Sequence, residues 1–169
     1  MKLKCITQPT VKPILLDEAK SFCRVLHNDD DAIFSLLIDV ATDYAQNVTG
    51  RQLCTATYEM VIGGQESPVR LPKAPLKAIT SVTCNGVSLD YSLHYDYDIA
   101  FIEFFATDDV TIIYECGYDV IPASLKGWCL NKVSTLYENR EGIVLGLSVA
   151  EVPSSMIDCI LDHYKVRYL

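Results

Sequence analysis

Cys23 and His27 stand four residues apart, and Cys159 and His163 repeat that spacing. Residues four apart on a helix share a face, so two such faces brought together would offer tetrahedral zinc a Cys2His2 set. A thiol beside a histidine base would also suit nucleophilic catalysis. Both readings meet one objection. With seven cysteines (Cys5, Cys23, Cys54, Cys84, Cys116, Cys129 and Cys159) and three histidines, some Cys/His proximity arises by chance. Cys23 and Cys159 each fall beside an apolar stripe, where a small buried residue is expected, and no glycine-rich turn marks an oxyanion hole. The carboxylates Asp29–Asp31 lack the alternation and closing glutamate of a calcium loop and read as a solvated helix cap. Asp96, Asp98, Asp108 and Asp109 could pair for acid–base work, but turn chemistry explains them. Neither G-x-x-x-x-G-K-S/T nor G-x-G-x-x-G occurs, so nothing marks a phosphate-cradling loop. No catalytic, metal or cofactor site is expected, and the chain reads as a non-enzyme. The alternatives are a small metal- or cysteine-dependent hydrolase and a monomeric interaction module.

The elements that would carry these residues follow from hydrophobic period. Asp17 and Glu18 suit the positive end of a first helix running from Leu16 to about Leu26. Asn28–Asp31 cap a longer second helix, whose apolar stripe is expected to be Ile33, Leu36, Leu37, Val40, Ala41, Tyr44, Ala45 and Val48, with Gly50 at its C-cap. The period then falls to two. Ala56, Tyr58, Met60 and Ile62 alternate as a half-buried strand requires. Strands at 79–84 and 87–89 flank Asn85-Gly86, a strong hairpin signal, and further strands are expected at 99–104 and 110–114. Pro122 opens a third helix with Leu125, Trp128, Cys129, Val133, Leu136 and Tyr137 on its buried face, and Pro153 opens a last one. The expected fold is α+β: a mainly helical bundle of about four helices carrying an inserted small antiparallel β-sheet at about 53–115 within a single domain spanning 1–169.

Half of the 169 residues are hydrophobic and 21% charged, ample for a core. The net charge of −8 is concentrated in residues 29–119, which hold fifteen acidic and four basic residues. Such a stretch repels phosphate backbones, so ordinary nucleic-acid binding is not expected. Odd, widely spaced cysteines argue against a disulfide framework and for a reducing compartment. No signal peptide and no bilayer-spanning run is read, so no membrane association is expected. The loop Glu141–Val149 sets Ile143, Val144, Leu145 and Leu147 among two glycines. That pattern either folds back onto the chain's own core or forms a protein–protein interface that is buried on assembly.

Three collinear segments resemble one family. They are Asp43–Leu53, ending in Thr49-Gly50-Arg51-Gln52-Leu53; Leu71–Val82, with Leu71-Pro72-Lys73-Ala74-Pro75-Leu76; and Tyr114–Tyr118 with Ile121–Lys126, leading to Leu136–Glu141. They are similar to the head–tail connector (head-completion or adaptor) proteins of long-tailed bacteriophages and prophages. The resemblance implies a virion structural subunit without enzymatic activity or cofactor. It implies a ring of about a dozen copies beneath the portal, joining capsid to tail. Its partners would be itself, the portal protein and a tail-side completion protein, with DNA passing through the lumen without specific binding. Asp96, Asp98, Asp108 and Asp109 would then form an acidic channel surface, since like charge prevents DNA from sticking.

Overall fold

The computed structural model describes residues 1–63, 67–139 and 159–166. It divides into two compact units, one of Met1–Val11 and Gly50–Val120 with Val166, the other of Lys12–Thr49 and Ile121 to Lys165. The expectation of a mainly helical bundle is overturned. Strand takes 34% of the described residues against 32% for helix, and the first unit is built from eight antiparallel strands.

Five of these form one sheet in the order β1 (Lys2–Thr7), β2 (Ala56–Ile62), β8 (Val110–Cys116), β4 (Leu76–Cys84), β5 (Val87–Ser88). A second sheet holds β3 (Val69–Arg70), β7 (Ile99–Phe104) and β6 (Tyr91–Asp96). Alternation decides which side chains go inside. Met60 and Ile62 from β2, Val110, Ile112, Tyr114 and Cys116 from β8, and Val82 from β4 share one core with Ala100, Ile102 and Phe104 from β7. The Asn85-Gly86 hairpin forms as its sequence requires, with φ of 50° and 80°, the left-handed pair that matches the twist of the flanking strands. Three strands escape the period-two reading. β3 has only two residues, β1 sets two exposed lysines around half-buried Leu3, and β6 exposes every residue but Leu93, so none shows a buried apolar row.

The second unit is helical. The first helix, α1 (Leu16–Phe22), stops earlier than expected. Arg24 takes φ 59°, and the Val25 N–H donates to Lys20 O at 2.9 Å, which closes the helix end as a left-handed residue permits. On α2 (Asp31–Thr49) the buried face is Phe34, Ile38, Ala41, Ala45 and Thr49. This corrects the expected stripe: Ala41 and Ala45 are inside, but Leu36, Val40 and Tyr44 are 62%, 46% and 45% exposed. The helix carries two adjacent apolar stripes, and only packing chooses between them. α3 (Ala123–Glu138) buries Leu125, Trp128, Cys129 and Val133. Helical backbone resumes at residues 159–162, where Leu161 is buried.

α1 and α3 are tied by one carboxylate. Glu18 accepts from Lys126 Nζ at 2.6 Å and from the Leu15 N–H at 3.0 Å. The Lys126 hydrogen bond, then the Leu15 amide, hold the Glu18 carboxyl below its ordinary range. A depressed folded pKa adds stability in full above the unfolded value and loses it as pH falls through the folded one. The pair is partly exposed, so the contribution is under about 1 kcal/mol. Glu18→Gln should therefore lower stability at pH 7 and flatten its dependence on pH through the acidic carboxylate range, read from urea unfolding at each pH.

Candidate functional site

The motif segments converge. Thr49 ends α2, its hydroxyl donating to Ala45 O at 2.6 Å, and Gly50 follows with φ 71°, the usual way for a helix to stop. The chain then enters the first unit. Arg51 bridges Ala74, and the Gln52 N–H donates to Ala74 O at 2.9 Å. Gln52 also accepts from Tyr58 Oη at 2.9 Å. Leu53 is buried, and its carbonyl accepts the Tyr118 N–H at 3.4 Å. From the third segment the Gly117 N–H donates to Pro75 O at 2.9 Å, and Tyr114 Oη to Pro72 O at 3.0 Å. Residues 51–53, 71–76 and 114–118 are thus one hydrogen-bonded junction within the first unit. Irregular backbone buried there needs partners for its amides and carbonyls, and each segment supplies them to another. The spacing of the motifs reflects architecture.

One charge lies inside the junction. Arg51 is 6% exposed, and its guanidinium pairs with the Asp98 carboxylate. Burial by itself would lower the Arg51 pKa; hydrogen bonding to Asp98 and the charges of Tyr118 and Asp98 outweigh it and hold the group above its ordinary value. Asp98 is therefore engaged, although its side chain stays 47% exposed. Its neighbour Asp96 is exposed at the end of β6, opposite Ile99. Asp108 accepts from Asn85 Nδ2 at 3.1 Å, and exposed Asp109 directly precedes β8, whose first residue pairs with Cys84. The four carboxylates accordingly fall into two groups, one at the β6–β7 turn of the smaller sheet and one beside the β4–β5 hairpin of the larger. Ile143, Val144, Leu145 and Leu147 lie outside the described residues.

The residues weighed for catalysis and metal binding have other engagements. Cys23 falls just past the end of α1, so His27 does not share a helix face with it. Among the described residues no group of three or more His, Cys, Asp and Glu side chains could hold a metal ion. Burial pushes the thiols of Cys23, Cys54 and Cys116 up, the last to about 12, opposite to what a thiolate nucleophile needs. In the acidic cluster, Asn28 and Asp31 each take Lys20 Nζ at 2.6 Å. Asp30 accepts from Tyr137 Oη at 2.5 Å. These acids hold the helices together.

Among the described residues no helix is long and apolar enough to cross a membrane. Residues 13–86 match the family model of the phage gp6-like head-tail connector proteins. No curated protein matches the chain. The fold is similar to a chain in the neck of an empty gene transfer agent (GTA) particle computed with C6 symmetry, at TM-score 0.79 and 16% identity, covering 100% of this chain and 98% of that one. A chain in the virion of a native GTA particle matches at TM-score 0.77, and one in the native neck computed with C12 symmetry at 0.72, with the same identity and coverage. At that identity the likeness shows a shared fold.

Proposed function

We propose that the chain is a member of the phage head–tail connector family, whose model matches residues 13–86, and that it assembles into a ring beneath the portal, joining the capsid vertex to the tail. It is a structural subunit of the virion neck. The observation that carries the reading is the collinear match over residues 13–86, whose Arg51, Gln52 and Leu71–Leu76 lie in the motif junction. A fold shared over its full length with chains of GTA necks computed with C6 and C12 symmetry supports a ring. Its work is complementarity between folded surfaces, with no bond made or broken. Portal on one side and a tail-side protein on the other are the partners this role needs.

DNA must pass such a ring without sticking. Between Lys77 and Lys126 the chain has no lysine or arginine and eight acidic residues, Asp96, Asp98, Asp108 and Asp109 among them. An acidic lumen wall repels phosphate and keeps passage free. Asp108 and Asp109 test this with least disturbance, because Asp98 neutralises buried Arg51. Particles carrying Asp108→Lys and Asp109→Lys should assemble normally and eject DNA more slowly, by about tenfold at low salt, with the delay shrinking as salt screens the contact. Ejection at the wild-type rate would remove these acids from the lumen.

A further inference from the structure

Sheet edges are where this molecule is unfinished. Two of its four edges are blunted, β3 and β5 having two residues each and the stretch of β4 that β5 leaves uncovered carrying two register shifts. The other two, β1 and β6, run six residues each. Among the described residues β1 pairs only with β2 and β6 only with β7. A long open edge presents a row of amides and carbonyls that templates another strand, and soluble proteins rarely leave one uncovered. Here there are two, on different sheets of one unit.

The two edges match each other. In β1, Leu3 and Cys5 are half-buried while Lys2 and Lys4 are exposed. In β6, the register with β7 puts Tyr91, Leu93 and Tyr95 on the side of Phe104, Ile102 and Ala100, and Ser92, His94 and Asp96 on the other side with Glu103. Both strands thus alternate between an apolar row and a polar one. Their charges are opposite. β1 holds two lysines and no acid, while β6 holds Asp96, is flanked by Asp90 and Asp98, and has no lysine or arginine. Two β1 edges together would set lysine against lysine, and two β6 edges would set acid near acid, each destabilising in a sheet. The mixed pair alone joins Leu3 and Cys5 to the tyrosine row and the lysines to the Asp96 row. A contact between two different patches of identical chains is heterologous, the kind that closes a ring.

We infer that β1 of one copy adds to the open edge of β6 in the next, so that neighbouring subunits are joined strand to strand. This rests on the ring reading above. The test compares four full-length chains: wild type, Lys2→Glu with Lys4→Glu, Ser92→Lys with Asp96→Lys, and all four changes together. All these positions are exposed, so each chain should keep wild-type circular dichroism and thermal unfolding. Ring formation on the portal protein of the same genome is counted by electron microscopy and sedimentation. Each double variant should form rings at least tenfold less well, and the quadruple variant, which exchanges the charges across the seam, should recover. Double variants that assemble like wild type, or a quadruple variant no better than either, would overturn the pairing while wild-type rings keep the ring reading intact. Wild type that forms no ring would sink both.

Discussion

Gly117→Ala should destabilise the first unit by about 3–4 kcal/mol, whereas Gly86→Ala, also at positive φ, should cost only about 1 kcal/mol. Gly117 has φ 119°, a conformation L side chains rarely adopt, and a methyl there would lie 2.6 Å from Cys54 O and 2.9 Å from Thr55 N. These are backbone atoms just before β2, fixed in turn by the Cys54–Tyr118 bridge and by the Gly117 amide on Pro75 O. Nothing nearby can give without opening the motif junction. Gly86 has φ 80° and no atom within 4 Å of the same methyl, so alanine there meets only the backbone penalty. Urea unfolding of the two variants separates the contributions. Equal costs would show that the junction yields to the added group.

Trp128→Ala should cost about 3–5 kcal/mol, the largest effect expected of a single change in the helical unit. Trp128 is fully buried on α3, and the ring of Tyr44 from α2 stacks on it at 5.6 Å between centroids and 11° between planes. Truncation leaves a large cavity beneath a ring that has lost its partner, and such a stack adds about 0.5–1.5 kcal/mol beyond area burial. Since Trp128 is the only tryptophan of the chain, circular dichroism must report the unfolding. Trp128→Phe, which keeps an aromatic face for Tyr44, should recover more than half of the loss. A cost below about 1 kcal/mol for the alanine variant would show that α2 and α3 are not held together through this residue.

Tyr44 also shows where sequence reading succeeds and where it stops. The hydrophobic period puts it on the buried stripe of α2, and it does face α3, but as a half-exposed cover with Lys132 Nζ 5.2 Å above its ring. Trp128 and Val133 were legible because α3 has one apolar stripe. α2 has two, and a helix alone cannot say which its neighbours will cover. In the sheets, β2, β7 and the Asn85-Gly86 hairpin were legible from strict alternation and from a dipeptide that favours left-handed backbone. β1, β3 and β6 were not: β3 has two residues, and β1 and β6 alternate without a buried apolar row, Lys2 and Lys4 being exposed in one and Tyr91 and Tyr95 in the other. Their omission made a molecule with slightly more strand than helix look like a helical bundle. For the site, the motifs Thr49–Leu53, Leu71–Leu76 and Tyr114–Tyr118 could be seen as related, but not that they touch. Their meeting depends on bridges between residues far apart in sequence, Arg51 to Ala74 and Cys54 to Tyr118. Likewise Asp98 looked like any turn carboxylate, since nothing local announces that Arg51 is buried beneath it.

The most direct measurement mixes purified full-length chain with the portal protein of its own genome and images the product by electron microscopy. A closed ring of this chain stacked on one face of the portal is the predicted result, with about a dozen subunits. A chain that remains monomeric and unbound when the portal is saturating would contradict a role built on subunit contact.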